Sequence, residues 1–319
     1  MKNRIQKTQK NMLFSSMFIL VLGLLCSCEK AVFNDSSSQA SGDEEQVTVV
    51  MKISDIEAYV NGDLTRARVP VSQVCTKLCF AVYQNGERVK YDNQKVSESD
   101  FGTMTMSLDP GTYQLLIIGH SGSANPSTTK PDQVKFTNLT SSGGTGYTDT
   151  FYYYGTLVVS SGMGEQQYVL NRATAMFRLM TDDGKPSSVK RFYFYYTGGS
   201  GGLDATTGYG NVNSQQKVYF DLDATTDGEP LTFELFTFPH ADSKVVTFKV
   251  EALNGNDEVL YSKEFKVTME RNTITQYKGA FFTDGEPDLP DEPDEPDTPQ
   301  GSTSVYVDTE WDSTNEFTY

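Results

Sequence analysis

From Val47 onward the chain alternates short runs rich in Val, Ile, Phe, Tyr and Thr with clusters of Gly, Asp, Asn and Pro. Apolar residues at every second position mark half-buried strands, and the three-and-four spacing of an amphipathic helix is nearly absent. The pattern predicts strands near 47–59, 75–84, 103–109, 112–119, 151–160 and 166–180. It continues with strands near 189–197, 216–222, 231–238, 244–253, 257–268 and 273–282. On the first of these, Val47, Val49, Met51 and Ile53 share one face.

Several connections carry their own turn chemistry. Asn85-Gly86 leads from one strand into a polar segment, and Asn254-Gly255-Asn256-Asp257 sits between two alternating runs as a hairpin signal. Asp109-Pro110-Gly111 reads as a tight turn in which Pro presets one dihedral and Gly supplies a positive one. Short strands with such turns indicate an all-β fold of two tandem antiparallel β-sandwiches rather than a parallel sheet. The organisation expected is a sandwich over 47–172 and a second over 173–283, meeting near Asn171-Arg-Ala-Thr-Ala175. Residues 284–301 form an acidic Pro-rich spacer, extended and semi-rigid because Pro favours polyproline II and like charges repel. Residues 302–319 then carry a terminal strand, Val305-Tyr-Val-Asp-Thr-Glu-Trp311, with the only Trp of the chain.

The amino-terminal end reads differently. Lys2, Arg4, Lys7 and Lys10 precede an apolar run, Met17 to Leu25, and then Cys26-Ser27-Cys28. A basic start, an apolar stretch and a small-residue cut site make a secretory signal over 1–27, too short to span a bilayer comfortably. Leu25-Cys26-Ser27-Cys28 resembles the lipobox of bacterial lipoproteins, which makes Cys28 the expected lipidation site. Cys26 is the weaker choice, because bulky Leu25 would then stand at the cut, and an ordinary secretory signal is the alternative. Residues 28–46 are polar and acidic, a flexible tether without the apolar content to form a core.

Charge and candidate chemistry narrow the function. A net charge of −16 with no basic stripe argues against nucleic acid as a partner. Beyond the signal only Cys75 and Cys79 remain. If both lie on one strand they stand about 13 Å apart, too far to bridge, so they are expected as buried thiols. The chain has two histidines, His120 and His240, each directly after an apolar strand, which is a poor basis for a triad. Gly143–Gly146 and Gly198–Gly202 lack the features of phosphate loops and read as flexible hairpin tips. Asp221–Glu229 has oxygen ligands at alternating positions but departs from the EF-hand loop, leaving incidental Ca²⁺ binding open. Tyr152–Tyr154 and Phe192–Tyr196 could stack sugars, although aromatics are favoured in strands in any case. No enzyme activity, cofactor or metal site is expected.

Over nearly its whole length after the signal the chain resembles the fimbrillin-like pilus subunits and fimbrial anchor lipoproteins of the Bacteroides–Porphyromonas group. The residues that carry the likeness are Cys28 with its lipobox, Leu64-Thr-Arg-Ala67, Leu78-Cys-Phe-Ala-Val-Tyr-Gln-Asn-Gly86 and Pro110-Gly-Thr-Tyr-Gln-Leu115. Val169-Leu-Asn-Arg172 leading into Ala175-Met-Phe-Arg-Leu179 completes it. The resemblance implies two transthyretin-like sandwiches and a structural role at the outer membrane or in a pilus, as anchor, shaft or tip. It implies other fimbrial subunits as partners through strand exchange, with the membrane reached through the lipid on Cys28. Carried over residue by residue, cleavage after Arg66 or Arg68, in the loop that follows the first strand, would remove the strand 47–59; a plain exposed loop with two basic residues is the alternative. The donor strand would be Val305–Trp311, with Val305, Val307 and Trp311 as its side chains, although the acidic spacer departs from the family's simplest pattern, so that the arm could reach a neighbour, fold back or merely display the C-terminus. A surface lipoprotein that binds a host ligand or glycan is the alternative.

Overall fold

The structure, a computed structural model, describes residues 45–53, 56–59, 66–137, 146–242, 245–283, 311 and 313–319. Its strands are β1 (Val47–Ile53), β2 (Ile56–Tyr59), β3 (Arg66–Val69), β4 (Lys77–Gln84), β5 (Glu87–Lys95), β6 (Thr103–Leu108) and β7 (Gly111–His120). Next come β8 (Val134–Lys135), β9 (Thr150–Val159), β10 (Gln166–Tyr168), β11 (Asn171–Arg172), β12 (Ala175–Thr181), β13 (Arg191–Gly199) and β14 (Gly202–Asp204). The last are β15 (Tyr209–Gly210), β16 (Ser214–Asp221), β17 (Thr232–Thr237), β18 (Val245–Leu253), β19 (Val259–Thr268), β20 (Thr273–Gly279) and β21 (Ser313–Thr318). One helical turn, α1 (Val71–Val74), precedes β4. The fold is all-β, as expected.

The first sandwich packs the sheet β10-β1-β6 on the sheet β11-β9-β7-β4-β5. Alternation decides the facing: Val49, Met51 and Ile53 of β1 and Met104, Met106 and Leu108 of β6 point inward, while Thr103, Thr105 and Ser107 do not. β1 is the middle strand, antiparallel to β6 and parallel to β10. The second sandwich packs β17-β12-β20-β21 on β16-β13-β18-β19 around an aromatic core. In it Phe177 stacks on Phe248 at 4.2 Å and Phe192 on Phe233 at 4.4 Å. Aromatic stacking of this kind adds to the stabilisation from the area buried.

A third cluster lies on the other face of the five-stranded sheet. Cys79, Ala81 and Tyr83 of β4 and Leu116 and Ile118 of β7 pack there with Val134, Leu203 and Phe238. This explains why the run Leu78–Tyr83 is buried without alternation: both faces of β4 are covered.

Some expectations are corrected. The run 166–180 is three strands, because the chain changes sheet after Tyr168 and passes to the second sandwich at Ala173-Thr174. The polar segment after Asn85-Gly86 is β5, an edge strand; Asn85 and Gly86 have φ of 52° and 82°, as a two-residue hairpin turn requires. Gly111 does not adopt positive φ, since it is already in β7; the Asp109 carbonyl instead accepts a bond from the Tyr113 hydroxyl at 3.0 Å. Cys75 ends α1 rather than lying on β4, and both Cys75 and Cys79 are buried thiols. Gly198–Gly202 is no flexible tip. Gly199 and Gly201 press against Thr237 and Tyr147 so closely that a Cβ would not fit.

Candidate functional site

The residues singled out for chemistry are absorbed by packing. His120, 1% exposed at the end of β7, accepts a hydrogen bond at Nδ1 from the Gly122 amide at 3.1 Å. Its Nε2 lies 3.9 Å from Cys79 Sγ. Burial holds the imidazole down to about 4 and pushes the thiol up to about 12. A catalytic cysteine–histidine pair needs shifts of the opposite sense, toward thiolate and imidazolium, so this pair is a neutral part of the core. His240 Nε2 is buried without a hydrogen-bond partner.

In the acidic loop, Asp221 pairs with Arg191, Asp223 caps the Thr225 amide at 3.1 Å, and Asp227 pairs with the buried ammonium of Lys185. Among the described residues no group of His, Cys, Asp or Glu is placed to hold a metal ion. The aromatic runs divide by alternation. Phe192, Phe194 and Tyr196 are core, while Tyr193 faces outward and stacks on Tyr219 at 4.6 Å.

The residues expected to act in assembly fall in three places. Cys28, Val305 and Val307 lie outside the described residues. Arg66 and Arg68 stand in β3, paired with β2 so that Tyr59 faces Arg66 and Glu57 faces Arg68, whereas a loop was expected. Trp311 is described and is 7% exposed. The strand described in this part of the chain follows it, at Ser313–Thr318.

β21 lies parallel to β20 at the edge of the second sandwich, with Ser313 opposite Thr273 and Thr318 opposite Lys278. Its side chains are mostly exposed. The grip is at the two ends. At the start, Trp311 packs with Met176 and Ile274, lies 6.2 Å from Phe236, and has the Arg172 guanidinium 4.0 Å over its ring. Arg172 is itself buried and lies 4.8 Å over Phe151 on the first sandwich. It donates through Nε and Nη2 to Asp149 at 2.8–3.0 Å and through Nη1 to Asn272 at 2.9 Å. Thr174 donates to the same carboxylate at 2.7 Å. A planar guanidinium suits this combination of forked hydrogen bonds and aromatic faces.

At the far end, Phe317 stacks on Tyr277 at 4.9 Å. The Tyr319 hydroxyl donates to the Met180 carbonyl at 3.0 Å and its amide to Lys278 at 3.1 Å. Burial, and then the carboxylates of Asp183 and Asp182, raise the Tyr319 phenol above its ordinary value. Asp183 also accepts from the amides of Phe281, Phe282 and Thr283, fixing the point where the acidic segment leaves the sandwich. Arg172, Phe317 and Tyr319 were not expected as site residues. Their signal is the alternation Trp311, Phe317, Tyr319 on odd positions, diluted by Ser313 and Asn315.

Residues 67–317 match the family described as fimbrillin-A associated anchor proteins Mfa1 and Mfa2. The chain belongs to this family. Its members are described as fimbrillin-associated anchor proteins, so a fimbrial role follows. Among solved structures, the chain is similar to a candidate adhesin from Bacteroides ovatus. That match has 13% identity and a TM-score of 0.49, covering 87% of this chain and 100% of the other. It is also similar to the fimbrial anchor protein Mfa2 from Porphyromonas gingivalis, with 11% identity, a TM-score of 0.39, and 68% and 82% covered. A fimbrial assembly protein from Parabacteroides distasonis matches at 12% identity and a TM-score of 0.39, with 74% and 91% covered. None of the curated proteins matches the chain. No helix among the described residues is long and apolar enough to cross a membrane.

Proposed function

We propose that this family member is exported as a lipoprotein, held at the outer membrane through Cys28, and built into a fimbrium by strand complementation through its carboxyl-terminal segment. The observation that carries the reading is the edge position of β21, paired with β20 on one side, exposed along its middle, and packed by its aromatic side chains at Trp311 and Phe317–Tyr319. Residues 280–312, which connect β20 to β21, would span roughly 100 Å if extended. Returning along β20 for parallel pairing needs only about 20 Å. The excess is reach toward a neighbouring subunit, whose exposed strand edge offers main-chain hydrogen bonds.

The role within the fimbrium depends on the segment before β4. Cleavage after Arg66 or Arg68 would take away β1 and β2, leaving a gap between β10 and β6 flanked by Met104, Met106 and Leu108 of β6. A subunit so cut is a shaft or tip component, and one left whole is an anchor. Intact mass of protein from the cell surface separates these. A lipidated start at Cys28 marks the anchor and a lipid-free start after Arg66 or Arg68 marks the polymer. A start at Met1 would overturn export, and recovery of Cys28→Ala with the membranes would overturn lipid anchoring. Removing Ser302–Tyr319 is expected to block entry into fimbriae while both sandwiches stay folded; normal fimbriae would overturn the assembly role.

One observation favours a second reading, the binding of a host or glycan ligand. Tyr193 and Tyr219 form a stacked pair on the outer face of the second sandwich. Saturable glycan-array binding lost in Tyr193→Ala would support it, and absence of any glycan signal would dismiss it.

A further inference from the structure

We propose that the hollow under Trp311, walled by Arg172, Met176, Phe236 and Ile274, is a receptor for the tryptophan of a second copy's carboxyl-terminal strand. In this arrangement the β20 edge accepts that strand with β1 still in place. The inference rests on the assembly reading above and names its receiving surface.

The hollow is built without the tail. Arg172 is positioned by Asp149 and Phe151 at the start of β9 and by Asn272 before β20, and the remaining walls come from β12, β17 and β20. Its charge is matched by Asp149, so no ion pair has to break when an indole ring arrives or leaves. A guanidinium 4.0 Å over the ring favours an aromatic side chain over an aliphatic one.

The rest of the tail follows an alternate-residue pattern. Trp311 enters the hollow, Ser313 Oγ meets Thr273 Oγ1 at 3.2 Å, Phe317 covers Tyr277, and Tyr319 reaches the Met180 carbonyl. The β20 main chain sets direction and register, and the aromatic ends decide which strand is accepted. The residue that supplies the most enclosed contact is therefore the determinant of choice. The tail makes the same contacts in its own hollow or in another copy's, and a long connection lowers the effective concentration that favours its own, which is the setting for exchange between identical chains.

The test uses the full chain with its own tail weakened, Trp311→Ala with Phe317→Ala and Tyr319→Ala, and a fluorescein-labelled peptide spanning Trp311–Tyr319. Fluorescence anisotropy is expected to show saturable binding. Replacing the peptide's Trp by Ala should weaken it about tenfold, within the range of a desolvated cation–aromatic contact plus burial. Arg172→Lys in the protein, which keeps the charge facing Asp149 but not the flat face, should cost a similar factor. No saturable binding, or equal binding of the two peptides, would overturn the proposal. If the triple variant does not fold, Trp311→Ala alone decides, since it empties the hollow and frees β21 while the sandwiches stay folded; the peptide must then bind saturably and remain Trp-dependent. Trp-dependent peptide binding alongside normal fimbriae from the tail deletion would remove the assembly reading and leave the receptor. Blocked assembly with Trp-independent binding would remove the receptor alone.

Discussion

The first and last strands of the described chain make a telling pair. β1 and β21 each join a sheet through a parallel neighbour, β10 and β20 respectively. β1 has strands on both sides, and Val49 and Met51 are 0% exposed. β21 has a neighbour on one side only, and Phe317 in its second half is 38% exposed. The first is part of a core; the second is a segment resting on one. Burial of alternate side chains on both edges of a strand ties it to the global stability of its domain, whereas an edge strand opens locally.

Four measurements would break or sharpen this contrast. The largest effect is expected from Met51→Asp, which places an unpaired carboxylate in the first core. A loss on the order of 4–5 kcal/mol should melt that sandwich in thermal unfolding. A stable Met51→Asp protein would mean that β1 is no more integral than β21. Trp311→Ala comes next. It should free β21, seen as faster hydrogen exchange at Thr273–Gly279, with little change in the melting of either sandwich.

The third is a pH effect. Tyr319 is docked as a neutral phenol with a raised value, so its contribution is present below about pH 10, the ordinary tyrosine value, and falls as pH rises above it. Emission of Trp311, the only Trp, should therefore shift to the red above about pH 10, and Tyr319→Phe should remove the Tyr319-linked part of that shift. The smallest effect belongs to Phe317→Ser, roughly 1 kcal/mol of tail docking, because much of that ring already faces water. Hydrogen exchange at Gln276–Lys278 reads it.

How far the sequence revealed these elements follows the same division. β1, β6 and the hairpin between β18 and β19 were legible because one face is apolar and the other polar, with turn residues at their ends. β5 and β21 were not. Their residues, Glu87–Lys95 and Ser313–Thr318, are largely polar, and an edge strand with water on one face and one edge leaves no periodic trace. Of the expected donor strand only Trp311 lies among the described residues, and it packs as a plug before a strand that begins two residues later. The packed glycines at Gly198–Gly202 misled for a related reason. Glycine marks a flexible tip and a crowded backbone crossing with the same letter, and only the neighbours Thr237 and Tyr147 distinguish them. Arg172 stood in view as part of the crossing between sandwiches, yet its partners Asp149, Asn272 and Trp311 are distant in sequence and no spacing points to them.

The three amides held by Asp183 give the chain a defined point of mechanical loading. A pull on the acidic segment reaches Thr283 first and is shared by the bonds from Phe281, Phe282 and Thr283 before it reaches β20. β20 has a parallel strand on its inner side, so traction along its axis strains that ladder all at once rather than one rung after another. A segment anchored in this way would resist a pull as a shear joint does. In single-molecule extension, Asp183→Ala should lower the rupture force of the second sandwich without changing the length released.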